Sequence, residues 1–278
     1  MKILITGANG MLAKSVKERL KKGNELICTD VSELDITNKD QVLEFVQDLK
    51  PEYIINCAAY TAVDKAEEVY DLADKINGDG PANLALASKL VDATLVHIST
   101  DYVFNGDLDV SKSYVEDDAV GPVTVYGKTK LHGEQGVKDN TDKYYIFRTA
   151  WLYGDGNNFV RTMLNLAKNH DEVSVVSDQH GSPTYAEDLA DIIGQAIEKK
   201  IPYGLYHATN QGFTTWYEFT KKIYELSDIT TKVKPVTSEE FVRPAKRPKN
   251  SQLDKTKLLS QGITIPSWED GLQRYLTY

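Results

Sequence analysis

The chain has 278 residues, enough for one large domain or a large one with a smaller lobe beside it. Hydrophobic residues make up 41% and charged residues 26%, with a formal net charge of −9; that balance argues against a general nucleic-acid binder and against adhesion to anionic lipid, which both need clustered Lys and Arg. No apolar run approaches the ~20 residues that cross a bilayer, and Lys2 to Ile5 already reads as a strand instead of a leader, so a cytoplasmic, reduced protein is expected.

In chain order, Lys2 to Thr6 is a short apolar strand, Met11 to Lys22 a helix and Glu25 to Thr29 a second strand. Between the first strand and the helix lies Gly7-Ala8-Asn9-Gly10-Met11-Leu12-Ala13. Glycines there let the backbone turn sharply and approach a pyrophosphate, whose charge rests on the helix amino terminus. Asp30 ends the second strand, where a carboxylate accepts hydrogen bonds from an adenosine ribose and repels a 2′-phosphate. This favours NADH over NADPH, with Lys14 near enough to compensate. Asn38 and Gln41 form a capping box for a helix with Val42, Phe45, Val46 and Leu49 on one face, ended by Pro51. Tyr53 to Cys57 is a third strand, Thr61 to Leu90 a polar, helix-rich stretch, and Thr94 to Ile98 and Tyr144 to Phe147 are two further strands. Cys28 and Cys57, each near the end of an apolar run, are expected to be buried free thiols.

Strands alternating with amphipathic helices imply right-handed crossovers and a parallel sheet covered on both faces. The expected fold is α/β: a Rossmann-type doubly wound parallel sheet over residues 1–150, with a smaller C-terminal substrate-binding lobe over 151–278. Parts of the later chain should return to the sheet. In that later chain Leu189, Ile192, Ile193, Ala196 and Ile197 give one helical stripe, and Trp216, Phe219, Ile223 and Leu226 another. A basic stretch, Arg243 to Lys249, interrupts the pattern.

Tyr126 and Lys130 lie four apart and share one face of a helix. A phenol is a poor catalyst near its ordinary pKa of ~10, but an adjacent ammonium, with the positive nicotinamide of NAD⁺, stabilises the phenolate and should lower that value. Ser99-Thr100-Asp101 ends a strand at the carboxyl edge of the sheet, where open α/β sheets bind ligands, and a hydroxyl there can hold a carbonyl oxygen beside Tyr126. The spacing alone decides little: with 16 Tyr in the chain, roughly 1.5 such pairs arise by chance, and Tyr217 with Lys221 is a second. Only Tyr126 follows a glycine cradle and a hydroxyl pair, so Tyr217 and Lys221 are expected to be a solvated helical pair.

The glycine spacing resembles that of the short-chain dehydrogenases, and several longer runs are similar to those of the dTDP-4-dehydrorhamnose reductases. These are Ala58 to Glu67, Ser99 to Phe104, Tyr126 to Lys130, Arg148 to Trp151, Gly156 to Phe159, Asp178 to Thr184 and Arg247 to Ser251, covering nearly the whole chain. The resemblance implies reduction of the C4 ketone of a dTDP-linked deoxysugar, dTDP-4-dehydro-β-L-rhamnose. Thr100, Tyr126 and Lys130 would be catalytic. Gly7, Gly10, Met11, Leu12, Asp30, Asp35, Ile36, Ala58, Ala59 and Tyr60, with Tyr126 and Lys130, would bind NADH or NADPH. Thr100, Asp101, Trp151, Asn158, Arg247 and Asn250 would contact the sugar nucleotide.

Two positions depart from the family's pattern. Some relatives hold magnesium at a dimer contact through glutamates; Glu187 matches, but Ser15 stands at the first-helix position and the chain stops at Tyr278. Glu187 then reads as an exposed helix-start acid, no metal ligand is assigned, and the chain is expected to be a monomer or homodimer. Tyr102 stands where related sugar-nucleotide dehydratases carry glutamate, so elimination of water is not expected. The alternatives are a 4-ketoreductase for another nucleotide-linked deoxysugar, or a non-catalytic subunit similar to the regulatory subunit of methionine adenosyltransferase. The intact Thr100, Tyr126 and Lys130 argue against the second.

Overall fold

The computed structural model describes residues 1–277; Tyr278 lies outside the described residues. The first half runs β1 (Lys2–Thr6), α1 (Met11–Leu20), β2 (Glu25–Thr29), α2 (Lys39–Leu49) and β3 (Tyr53–Asn56). It continues through α3 (Val63–Ala66), α4 (Tyr70–Asp74), α5 (Gly80–Leu90), β4 (Thr94–Thr100), α6 (Val125–Asn140) and β5 (Tyr144–Thr149). Then come β6 (Leu152–Tyr153), α7 (Phe159–Ala167), β7 (Glu172–Val176), β8 (His180–Gly181), β9 (Thr184–Tyr185), α8 (Ala186–Lys199) and β10 (Gly204–His207). The chain ends with β11 (Thr214–Thr215), α9 (Trp216–Leu226), β12 (Lys232–Val236), α10 (Thr256–Leu259) and α11 (Trp268–Thr277).

Six strands form one parallel sheet in the order β10-β5-β4-β3-β1-β2. Side chains alternate across it and both faces are covered, so a central strand is mostly an apolar run. In β1, Ile3 and Ile5 join the core under α1 and α8, while Leu4 joins the core under α2 and α5. In β3, Ile54 and Ile55 divide the same way. The order of strands puts the β1–β3–β4 carboxyl ends side by side, and these carry the glycine turn, Ala58 and Thr100.

After residue 150 the chain does two things. Helix α8 packs on α1 and β10 extends the sheet beside β5. Leu258, Ile263 and Ile265 join the core under α8, and most of the remainder builds a second core over the carboxyl edge, in which Val160, Met163, Val173, Phe219, Ile223 and Leu272 are buried around the β7–β12 pair.

Helix α2 shows half of the expected capping box. The Asn38 side chain accepts from the Gln41 N–H at 3.2 Å, but the Gln41 carboxamide oxygen accepts from the Asp35 N–H at 3.1 Å instead of closing on Asn38. Burial of the thiols is corrected for Cys28, which is exposed, because β2 is the edge strand and its outer face meets solvent. Cys57 is half-buried, and burial pushes its thiol up to about 12.

Candidate active site

At the end of β1 the backbone turns at Gly7 with φ +64°, and a Cβ there would lie 2.6 Å from the Ala58 backbone. Only glycine satisfies both the left-handed conformation and the close approach of β1 to the segment after β3. The Gly10 N–H donates to the Gly7 carbonyl at 2.9 Å, and α1 then starts with no side-chain cap and no acid in its first turn. Its first amides therefore open on a cavity of about 480 Å³ lined by Gly10, Met11, Leu12, Ala58 and Ala59. Gly7, Gly10, Asp30, Asp35, Ile36, Ala58 and Ala59 line an adjoining cavity of about 350 Å³. There the Asp30 carboxylate accepts from the Asn9 and Val31 N–H groups at 3.0 and 2.8 Å. A glycine turn, uncapped amides and a terminal carboxylate fit a dinucleotide: pyrophosphate on the amides, ribose on Asp30. Tyr60 lines neither cavity. Its backbone N–H and carbonyl are clamped by the carboxamide of Asn77, at 2.8 and 3.1 Å, a contact that the sequence did not signal.

Tyr126 and Lys130 meet this cavity from the first turns of α6, which Thr124 caps by accepting from the Gly127 N–H at 3.0 Å. Thr100 and Asp101 reach it from the end of β4. The Thr100 hydroxyl donates to Asp101 Oδ1 at 2.8 Å, and the Ser251 hydroxyl donates to Oδ2. Burial pushes Asp101 up to about 6, against these two bonds. Burial pushes Tyr126 up to about 12, with the Asp101 charge adding to the rise and the Thr100 hydroxyl opposing it. Burial and Asp101 thus oppose the lowering expected from Lys130 and the positive nicotinamide together. Lys130 is 2% exposed; its ammonium donates to the Ile98 carbonyl at 2.6 Å, and burial brings it down to about 8. Ser99 faces the helix, donating to Glu134 Oε1 at 2.6 Å, and Glu134 forms a buried fork with Arg148 at 2.8 Å to each oxygen.

Trp151 and Tyr102 line the catalytic cavity and also a third one of about 410 Å³ on the second core. Trp151 is held at φ +51° and stacks on Trp216 with ring centroids 3.7 Å apart. A Cβ on Gly181 would fall 2.6 Å from its indole, so the glycine makes the seat for this ring. Arg243 and Arg247 line the same cavity, with Phe159 and Phe241. Arg247 is engaged by Asp64 through a fork with 2.8 Å to each oxygen.

Two expected contacts are corrected. Asn158 caps α7: its oxygen accepts from the Arg161 N–H at 3.1 Å, and its amide donates to the Gly154 and Gly156 carbonyls and to the Tyr275 hydroxyl. Asn250 is 1% exposed, and its amide serves the Leu108, Asp109 and Lys112 carbonyls while its oxygen accepts from the Gln252 N–H. Neither amide has a donor left for a diphosphate. Of the decoy pair, Lys221 is exposed and bound to Glu218 at 3.1 Å. Glu187 shares a separate cavity with Ser15 and Asp155. Among the described residues no group of three His, Cys, Asp or Glu converges as a metal set, and no helix is long and apolar enough to cross a membrane.

The family model described as RmlD substrate binding domain matches residues 1–278. A dTDP-4-dehydrorhamnose reductase of Aggregatibacter actinomycetemcomitans is 40% identical over 100% of this chain and 99% of its own. The spore coat polysaccharide biosynthesis protein SpsK of Bacillus subtilis is 41% identical over 99% and 96%. Among solved structures, a dTDP-4-dehydrorhamnose reductase from Clostridium acetobutylicum superposes with a TM-score of 0.96 at 52% identity, covering 100% of this chain and 99% of that one. The Bacillus anthracis dTDP-4-dehydrorhamnose reductase in complex with NADP superposes with a TM-score of 0.95 at 47% identity, covering 99% and 98%.

Proposed function

This chain belongs to the dTDP-4-dehydrorhamnose reductase family, and on that premise we propose that it reduces the C4 ketone of dTDP-4-dehydro-β-L-rhamnose to give dTDP-L-rhamnose. The observation that carries this reading is the convergence of Thr100, Tyr126 and Lys130 on the cavity that also receives the uncapped start of α1. The uncapped amides and Asp30 fit a nicotinamide dinucleotide, which when bound supplies the hydride for the carbonyl carbon. Tyr126 keeps its phenolic proton throughout the neutral range and gives it to the carbonyl oxygen as negative charge builds there. Thr100 orients that oxygen once its hydroxyl turns from Asp101. Lys130, charged below about pH 8, offsets the phenolate that Tyr126 becomes.

The nucleotide end of the substrate fits the third cavity. The Trp151–Trp216 stack offers a base an aromatic face, and Arg243 and Arg247 offer a diphosphate guanidinium forks. Since Asp64 occupies the Arg247 fork, a diphosphate competes with that carboxylate. For the cofactor, Asp30 favours NADH, and Lys14 is turned to Asp155 at 2.7 Å instead of toward a 2′-phosphate. The Bacillus anthracis relative is an NADP complex, so both cofactors enter the test. We further propose a cytoplasmic monomer or homodimer, with residues 151–278 supplying most of the substrate lobe, that binds neither nucleic acid nor membrane; no magnesium ligand is assigned. The test follows NADH and NADPH oxidation with the 4-keto sugar nucleotide, with and without a chelator. Oxidation that starts only with the sugar supports the reading. Turnover of another dTDP-4-keto sugar, with none of the rhamnose precursor, refutes it.

A further inference from the structure

Behind Lys130 runs a line of buried polar side chains that the mechanism above does not use: Thr6 on β1, Asn56 on β3 and His97 on β4, exposed by 1%, 1% and 0%. The Asn56 Oδ1 accepts from the Thr6 hydroxyl at 2.8 Å and from the Ala58 backbone N–H at 3.1 Å. A backbone N–H can only donate, so the carboxamide oxygen must face Ala58 and the NH2 group must face His97. That NH2 lies 3.2 Å from His97 Nδ1, which is thereby an acceptor. Burial, with Lys130 beside it, keeps the ring uncharged. A neutral imidazole that accepts at Nδ1 carries its proton on Nε2, and Nε2 lies 3.5 Å from Lys130 Nζ. An N–H thus points at the amine on a side where an ammonium would need an acceptor.

We propose that His97 is a positioning residue that weakens the hold of Lys130 on its proton: fixed by Asn56 with its own proton on Nε2, it donates to the uncharged amine and opposes the ammonium, so that the fraction of Lys130 left uncharged takes up its proton as the cofactor binds. The other titratable and charged groups around Lys130 are Glu134 on its own helix, Tyr126 and Asp101 at the cavity, and Cys57 after β3. Glu134 favours the ammonium, but its carboxylate is already forked to Arg148. His97 is the donor set against it. The inference rests on the nicotinamide reading of the site and not on the identity of the sugar.

Two measurements test it. Nitrogen-15 NMR of the histidine rings in the cofactor-free protein, with His97 assigned through the His97→Gln spectrum, reads the tautomer. A protonated Nε2 and a bare Nδ1 are expected; a bare Nε2 overturns the proposal whether or not any cofactor binds. The second measurement is NADPH affinity by cofactor fluorescence between pH 6.5 and 9.5. If binding requires the charged amine, affinity falls as pH rises through about 8, by up to about tenfold per pH unit. In His97→Phe the midpoint should move up by about one pH unit, the weight of one hydrogen bond. His97→Gln, whose amide can accept from Asn56 and donate to Lys130, should keep it. A purely structural role for His97 would weaken affinity equally at every pH, and an unmoved midpoint in the phenylalanine variant overturns the proposal. Should that variant not fold, the tautomer of the unaltered protein still decides.

Discussion

Lys130→Met should make a more stable and inactive protein near neutral pH. Lys130 is buried, and its amine falls from an ordinary 10.5 to about 8. Each unit corresponds to about 1.4 kcal/mol, so holding the charge inside the fold costs about 3 kcal/mol below pH 8. Methionine matches the side chain in length and carries no charge, but it leaves the Ile98 carbonyl without its donor, a loss of about 1–2 kcal/mol. The net gain is about 1–2 kcal/mol, or a rise in Tm of roughly 2–6 °C for a chain of this size. The pH dependence fixes the cause. Between about 8 and 10.5 the unfolded chain binds a proton that the folded chain lacks, so the stability of the unaltered protein rises with pH through that window. The advantage of the variant should therefore shrink as pH rises from 7 and reverse by about pH 10. Thermal unfolding followed by circular dichroism at both pH values measures this. A methionine variant that is less stable at pH 7, or a gap that does not change with pH, refutes the reasoning.

Other substitutions separate chemistry from support. Tyr126→Phe should retain cofactor binding and lose about 10²–10⁴ in turnover, the weight of general acid catalysis; near-normal single-turnover rates would remove Tyr126 from the mechanism. Glu134→Ala strands the buried Arg148 and should cost about 3–5 kcal/mol in chemical denaturation, where a loss under 1 kcal/mol would mean that Arg148 finds another partner. Asp30→Ala should weaken NADH more than NADPH in binding titrations, and equal losses would show that the carboxylate does not read the ribose.

The features legible in the sequence are those fixed by local periodicity. A parallel strand buried on both faces must be an apolar run, so β1, β3 and β4 stand out; a phosphate turn needs glycine, so Gly7 and Gly10 do as well. A four-residue spacing on a helix brings Tyr126 and Lys130 to one cavity. Features that depend on what lies across the fold were not legible. Cys28 looked buried because nothing local marks β2 as the sheet edge. Asn158 and Asn250 sit in motifs rich in polar residues, and composition does not say whether an amide faces a ligand or a backbone carbonyl. His97 lay unnoticed in an apolar strand, since its meaning comes from Asn56, 41 positions away. The sign that burial and the Asp101 charge give to the Tyr126 shift was missed for a similar reason. Spacing displayed the lysine four residues on, but burial and the Asp101 carboxylate decide the balance.

That sign bears on the direction of the reaction. In reduction Tyr126 must arrive protonated, and an alkoxide forming at the sugar is about as basic as hydroxide, far more so than a phenolate. A phenol at about 12 still gives up its proton downhill to such an oxygen, so the Asp101 charge costs the forward step little. Oxidation of the alcohol needs the phenolate first, and there the same carboxylate works against the enzyme at every pH above about 6, where Asp101 is ionised. Asp101→Asn removes that charge and keeps an oxygen to accept from Thr100 or Ser251. The alkaline rise of the oxidation rate should then shift to lower pH, while the rate of ketone reduction at pH 7 changes less. The check is to run both directions across pH 6 to 10 with the same enzyme preparation. An oxidation profile unmoved by the substitution would mean that the Asp101 charge does not reach the phenol, and that burial alone holds its proton.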